Sequence, residues 1–341
     1  TIMASNPLTA QDFIFAIMFL ISYLCYHKTI VFINFYATPE GIEINFKGTI
    51  KISANQIFFS FVLLCIFKSA IYTTFYRIRN TLERIMNSFY NQKTIAEKVT
   101  LSGTGVHSGK KTHLTIRPAK ENHGIKFRRL DLPGTPDIPA LFKLVVDTSL
   151  ATVIGDKGAI VSTIEHLMAS FAGLGVDNAL VEVDDYEIPI MDGSAREFTR
   201  VITNAGLVEQ DRPRHLFIVN KPVEVRQADK WVRVEPESCF RISCTIDFNH
   251  PLIGLQKIVY DRAENNFEQE ISGARTFGFV KDLELLKKFS LGKGGSLDNA
   301  IVIDNDKILN KEGLRYPDEF VRHKLLDCLG DFSLLGMPIQ G

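Results

Sequence analysis

The chain has 341 residues, 45% of them hydrophobic, and its charges balance at 39 basic against 39 acidic. That length suits about two domains with ordinary cores, and the absence of any block of like charge argues against a nucleic-acid polyanion as main ligand. Five cysteines, Cys25, Cys65, Cys239, Cys244 and Cys328, form no Cys-x-x-Cys pair. This argues against a disulfide framework or a thiolate zinc knuckle and fits a reducing cytoplasm, leaving histidine and carboxylate to build any metal site.

From Phe13 to Tyr26 the sequence is uncharged and mostly apolar, it resumes as such after His27 and Lys28 up to Tyr36, and Ile57 to Phe67 is a second such run. Neither clean run reaches the roughly 18 residues of a membrane span, although the first does if His27 and Lys28 are tolerated. The stretch is overlong for a signal peptide and lacks a small-residue cleavage site. After Arg84 the texture becomes that of an α+β protein, with short alternating segments and turns. Because Met86 sits at this change and the chain begins with Thr1, residues 1–85 are expected to be a hydrophobic, membrane-associated leader or an extension upstream of a start at Met86.

Beyond Met86, alternation predicts strands at Thr94–Leu101, Lys111–Arg117 and Ile125–Leu130. Ser162 is expected to open a helix that ends at Gly173, and Ala179–Val183 returns as a strand. After the Asp192-Gly193 turn, Ser194 is expected to cap a helix to about Ala205, closed by Gly206. Glu209–Arg214, with Pro213, has the composition of a linker between residues 86–210 and 211–341. Strands are predicted at Val223–Arg226, Trp231–Glu235, Arg241–Phe248 and Lys257–Asp261, and helices at Leu283–Phe289 and Asp318 to about Leu335. Both halves run strands first and helices later, which predicts two layered α+β domains.

Two segments carry candidate chemistry. In Ser162-Thr163-Ile164-Glu165-His166 one reading is a capping box, with Ser162 at the N-cap and Glu165 reaching back to the backbone, followed by a chance histidine. The other is that the positive helix N-terminus keeps His166 neutral, the form a metal requires. In the helix opened by Pro317-Asp318, a period of about 3.6 residues stacks His323, Asp327 and Asp331 on one polar face, with Val321, Leu325, Leu329 and Phe332 as the buried stripe. That face is either a solvent-facing His/Asp arrangement or part of a site. Catalytic zinc commonly takes three protein ligands plus a water, and His166, His323 and Asp327 offer two nitrogens and an oxygen from two helices in two domains, with Glu165 beside one of them as a base.

Five motifs then stand in order: Val161–Leu167, Glu187–Ala195, Asp247-Phe248-Asn249-His250-Pro251, Ala274–Phe279 and Phe320–Asp327. From about Thr94 to Gly341 the chain resembles the UDP-3-O-acyl-N-acetylglucosamine deacetylases, zinc amidohydrolases of lipid A synthesis. The resemblance implies a two-domain α+β fold with the site in the interdomain cleft, Zn2+ on His166, His323 and Asp327, and Glu165 as general base. It further implies that Thr276 helps hold the oxyanion and that Lys324 and Asp331 support the catalytic groups, the aspartate orienting a histidine. Lys230 would meet the nucleotide diphosphate, Phe277 the sugar, and Phe279 the acyl chain. The implied activity is hydrolysis of the acetamide of UDP-3-O-acyl-N-acetylglucosamine in the cytoplasm. The chain is expected to be a monomer that binds no nucleic acid and meets a membrane only if residues 1–85 are part of the protein.

Gly292-Lys293-Gly294-Gly295-Ser296 lacks the spacing of a phosphate loop, and His107 is expected to be a structural turn histidine. The proteins resembled continue past the position of Gly341 with a glycine-histidine motif whose histidine Asp331 would orient. As written, the chain is therefore expected to work about 10² to 10⁴ times below a complete enzyme, and the alternative is a fragment that binds zinc and UDP-sugar without turnover.

Overall fold

The computed structural model describes residues 29–38, 41–51 and 91–341. Contacts within the chain separate it into two units, Thr1–Ile85 and Met86–Gly341. In the first, β1 (Thr29–Thr38) and β2 (Gly41–Lys51) pair antiparallel with a register shift at Val31/Phe32. The apolar stretch resuming after Lys28 thus lies in a strand. The runs Phe13–Tyr26 and Ile57–Phe67 lie outside the described residues. Among the described residues no helix is long and apolar enough to cross a membrane.

The second unit begins with β3 (Asn91–Ile95), β4 (Val99–Thr104), β5 (Lys111–Pro118), β6 (Ile125–Arg129) and β7 (Asp137–Pro139). Then come β8 (Val145–Asp147), β9 (Val153–Asp156), β10 (Ala159–Val161), α1 (Glu165–Leu174), β11 (Ala179–Val183), α2 (Arg196–Ala205) and β12 (Leu207–Pro213). A five-stranded sheet has the order β4-β5-β11-β6-β7, with β11 antiparallel to β5 and parallel to β6. Alternation in β5 and β11 turns Leu114, Ile116, Val181 and Val183 inward, where Leu167 and Phe171 of α1 and Phe198 and Ile202 of α2 cover them. Each such fully buried side chain contributes about 1.5–3 kcal/mol relative to exposure.

Three sequence expectations need correction in this part. The single strand predicted over Thr94–Leu101 is two, β3 and β4, which join different sheets. The segment with linker composition is largely β12, paired antiparallel with β3 (Leu207↔Ile95, Glu209↔Lys93) and shifted in register toward Pro213. An edge strand tolerates a proline because it needs one ladder of hydrogen bonds rather than two. The helix placed at Ser162–Ala172 starts at Glu165 and ends at Leu174, with Gly175 (φ 75°) as its left-handed cap. Gly173 is instead the place where the Phe267 ring lies against the helix backbone.

The chain continues through β13 (Phe217–Ile218), β14 (Val223–Gln227), β15 (Lys230–Val234), β16 (Arg241–Phe248), β17 (Gly254–Asp261) and α3 (Phe267–Glu270). It closes with β18 (Phe277–Phe279), α4 (Leu283–Lys288), β19 (Ile301–Asp304), β20 (Lys307–Ile308), α5 (Glu319–Ser333) and β21 (Ile339–Gln340). The pairs β14/β15 and β16/β17 are antiparallel hairpins, β18-β19-β20 is a short mixed sheet, and β21 pairs in parallel with β13. Tyr260, Phe267 and Ile271 pack on Leu325, Leu326 and Leu329 of α5, while Ile253, Ile301 and Ile303 enclose Phe320. The fold class is α+β, as the sequence predicts.

α5 departs from a simple two-faced helix. Val321, Leu325 and Leu329 are buried as expected, but Phe332 is half-buried and Leu326 joins the core. His323, on the nominally polar face, is only 1% exposed, because that part of the face packs against α1, while Asp331 two turns on is exposed.

Candidate active site

The site lies where α1 meets α5. Gly330 permits the approach: a Cβ there would collide with the backbone carbonyl of Glu165. Upstream of Glu165, Ser162 does not cap the helix. Its backbone N–H donates to Tyr186 O at 2.7 Å and its carbonyl accepts from Ile188 N–H at 3.0 Å, a parallel bridge to Glu187. Thr163 then turns through a left-handed conformation, φ 61°, which is costly for a β-branched residue and re-aims the chain into α1. The capping box is not made. Glu165 occupies the first helical position, and its Oε2 accepts the Thr152 backbone N–H at 3.1 Å.

His166, His323 and Asp327 converge as the spacing predicts, with one potential ligand atom from each within 4.8 Å of the others. Asp327 Oδ1 is 3.4 Å from His323 Nε2 and 3.7 Å from His166 Nε2. The imidazoles stand edge to face, centroids 5.0 Å apart. His323 Nδ1 lies 3.0 Å from the Ala274 carbonyl; a carbonyl can only accept, so Nδ1 carries the proton and Nε2 presents a lone pair to Asp327. Burial, and next the charge of His323, push the pKa of His166 down to about 3, and burial lowers that of His323, so both rings are neutral at pH 7. Burial alone would raise Asp327, but His323, Lys324 and His166 outweigh it and bring the carboxyl to about 2.

Asp327 Oδ1 is buried and has no hydrogen-bond partner among the described residues. A carboxylate oxygen left unpaired between two imidazole nitrogens is a costly arrangement that a cation would relieve. The donor set of two neutral imidazoles and one ionised carboxylate therefore fits a divalent metal. Asp327 Oδ2 is engaged elsewhere, accepting from Lys324 Nζ at 2.8 Å, and that charge raises the lysine's pKa.

Glu165 has the opposite electrostatics: burial first, and then the neighbouring Asp327 charge, push its carboxyl up to about 8. An acid titrating that high beside a cluster of potential ligands is suited to taking up and giving back a proton near neutrality. Asp331, one turn beyond Asp327, accepts from the Thr152 hydroxyl at 2.6 Å.

The aromatic motif reaches the same place. Phe277 packs edge-on against Phe320 (5.0 Å) and Phe248 (5.6 Å), with its centroid 6.5 Å from that of His323 and Lys324 Nζ 5.6 Å above it. Phe279 sits farther along, beside His250 at 5.2 Å and Phe248 at 6.5 Å. Thr276 is fixed through its backbone: its N–H donates to Gly193 O and its carbonyl accepts from Ile301 N–H, both at 2.8 Å. Gly193 (φ 81°) can take no side chain, since a Cβ would strike the Asn299 carbonyl. The preceding Asp192 pairs with Arg315 Nη1 at 2.9 Å and accepts the Ser194 hydroxyl at 2.7 Å. Ser194 Oγ in turn accepts the Arg196 N–H at 3.2 Å, so it supports the start of α2 from one position before the cap, Ala195.

Lys230 is the residue the structure does not bring in. It opens β15 on an exposed hairpin, and among the described residues no hydrogen bond, ion pair or ring contact joins it to the cluster. Conversely, sequence reasoning missed Thr152, which acts through its N–H and its hydroxyl, Ala274, which acts through its carbonyl, and Gly330, which acts by having no side chain. It also missed a buried ion pair beneath Thr276: Arg275 Nε to Glu319 Oε1 at 2.9 Å, with both side chains at most 2% exposed. His107 packs at the turn held by Glu187, which accepts the N–H groups of His107 and Ser108, in keeping with a structural role.

Comparison with known proteins follows these motifs. The family described as LpxC, UDP-3-O-acyl N-acetylglycosamine deacetylase, matches residues 92–341. The UDP-3-O-acyl-N-acetylglucosamine deacetylase of Myxococcus xanthus (strain DK1622) is 53% identical over 254 residues, 74% of this chain and 81% of the relative. That of Anaeromyxobacter sp. (strain Fw109-5) is 49% identical over 254 residues, 74% of this chain and 83% of the relative. The chain belongs to the UDP-3-O-acyl N-acetylglycosamine deacetylase family and is a hydrolase.

Proposed function

We propose that this protein hydrolyses the N-acetyl group of UDP-3-O-acyl-N-acetylglucosamine to the free amine and acetate, in the cytoplasm and as a step of lipid A synthesis, with zinc on His166, His323 and Asp327. The observation that carries the reading is the convergence of two neutral imidazoles on the buried Asp327 oxygen, with the Glu165 carboxylate beside His166 at the start of the same helix. When bound, zinc supplies Lewis-acid polarisation of the acetamide carbonyl and acidifies the attacking water.

The protein groups do the rest. Glu165 takes the proton of the attacking water; its Oε2 is tethered to Thr152, which leaves Oε1 for that transfer. Thr276 and the charged Lys324 stabilise negative charge on the carbonyl oxygen as the carbon becomes tetrahedral. By the resemblance, Asp331 has the place from which it would orient the histidine, in the family's continuing segment, that protonates the departing amine. Phe277, edge-on to His323 and beneath Lys324 Nζ, packs on the sugar, Phe279 lines the path of the acyl chain, and Lys230 pairs with the diphosphate from its exposed hairpin. In this reading residues 86–210 and 211–341 act as two domains of one monomer and the substrate lies between them.

The binding-only fragment has no observation in its favour. Incubation with UDP-3-O-acyl-N-acetylglucosamine, followed by assay of acetate, tests the reading: stoichiometric acetate and free amine are expected, and tight substrate binding with no acetate would refute it.

A further inference from the structure

Thr152 uses three of its groups to join the two ligand-bearing helices. Its N–H donates to Glu165 Oε2 at 3.1 Å, its hydroxyl to Asp331 Oδ1 at 2.6 Å, and its carbonyl accepts from Ile164 N–H at 3.4 Å. It is 6% exposed, whereas Asp147–Leu150 just before it are exposed and bond among themselves through Asp147 and Ser149. Thr152 runs directly into β9, where Val153 pairs with Asp147 and Ile154 is fully buried. The sheet holds its backbone from that side, and the hydroxyl adds a side-chain tie to α5.

We propose that Thr152 is a positioning residue for Glu165: its hydroxyl, anchored on Asp331, sets where its N–H meets the Glu165 carboxylate, so that Oε1 keeps one orientation toward the ligand cluster. The inference rests on Glu165 acting as the base. The residue touches no ligand, and its N–H remains when the side chain is changed. What a side-chain change removes is the anchor, and a carboxylate displaced by about 1 Å from a productive geometry can lose as much as 10²-fold in rate.

Thr152→Val keeps the shape and deletes the hydroxyl; Thr152→Ser keeps the hydroxyl. In the zinc-loaded protein, Thr152→Val is expected to lower kcat roughly 10- to 10²-fold, with KM and zinc content within about twofold of the native values. Thr152→Ser should stay within about threefold of the native kcat. Independently of turnover, amide exchange at position 152 should accelerate about tenfold or more in Thr152→Val and also in Glu165→Ala, which removes the acceptor. An unchanged kcat in Thr152→Val, an equal loss in the serine variant, or a parallel loss of zinc would overturn the proposal, as would an unchanged amide in both exchange experiments. If the native protein releases no acetate, the functional reading fails on its own, and the exchange experiments still decide whether Thr152 is tied to Glu165.

Discussion

The backbone carbonyl of Glu165 fills the space into which a side chain at Gly330 would project. The first residue of α1 and the penultimate turn of α5 therefore touch through main-chain atoms, and the separation of the two ligand-bearing helices is set by a hydrogen where a methyl group would not fit.

Gly330→Ala should push the helices apart. Overpacking of this kind costs about 1–3 kcal/mol, and the cost should appear as a lower urea midpoint with an unchanged m-value. Because Glu165 moves with its backbone, kcat should fall more than KM rises, and steady-state kinetics on the folded fraction would show it.

The buried Arg275–Glu319 pair anchors the segment that carries Thr276 and Phe277 to the first turn of α5, and Arg275 also donates to Glu312 at 2.7 Å and Gly313 O at 2.6 Å. Arg275→Met leaves the Glu319 carboxylate buried with an unpaired charge and should cost about 3–5 kcal/mol of stability. Combining it with Glu319→Leu should recover part of that loss, a coupling that a double-mutant cycle by urea denaturation would measure.

Removing the metal should expose a pH dependence of stability with a defined sign. Glu165 binds its proton up to about pH 8 in the folded chain against an ordinary 4.5, so it makes stability fall as pH rises through that interval. His166 loses its proton at about pH 3 instead of 6.5, so it makes stability rise with pH between those values. The two effects oppose each other from pH 4.5 to 6.5, which leaves a net decline from pH 6.5 to 8 in chelator-treated protein. Urea midpoints across that range should show the decline, and Glu165→Gln should flatten it.

The amino-acid pattern carried the ligand helix well. The alternation at β5, β6, β11 and β16 and the three-in-line histidine and aspartates of α5 are local periodicities that the structure retains. What could not be read locally is set by partners distant in sequence. Glu209–Arg214 has the composition of a loop, yet most of it is strand because β3, more than a hundred residues earlier, offers it a free edge. Ser162 and Glu165 have the spacing of a capping box, yet Tyr186 and Ile188 take the backbone of one and Thr152 takes the side chain of the other. The burial of His323 on the polar side of α5 follows from Gly330 meeting α1, a tertiary contact with no periodic signature.

The central claim is that His166, His323 and Asp327 hold a catalytic zinc while Glu165 moves the proton, and metal content and acetate release measured together on three proteins test it most directly. The native chain should carry one zinc and release acetate, His323→Ala should lose most of the metal and the activity, and Glu165→Gln should keep the zinc while its rate falls by roughly 10² to 10⁴. A His323→Ala protein with undiminished zinc, or a Glu165→Gln protein with a native rate, would contradict it.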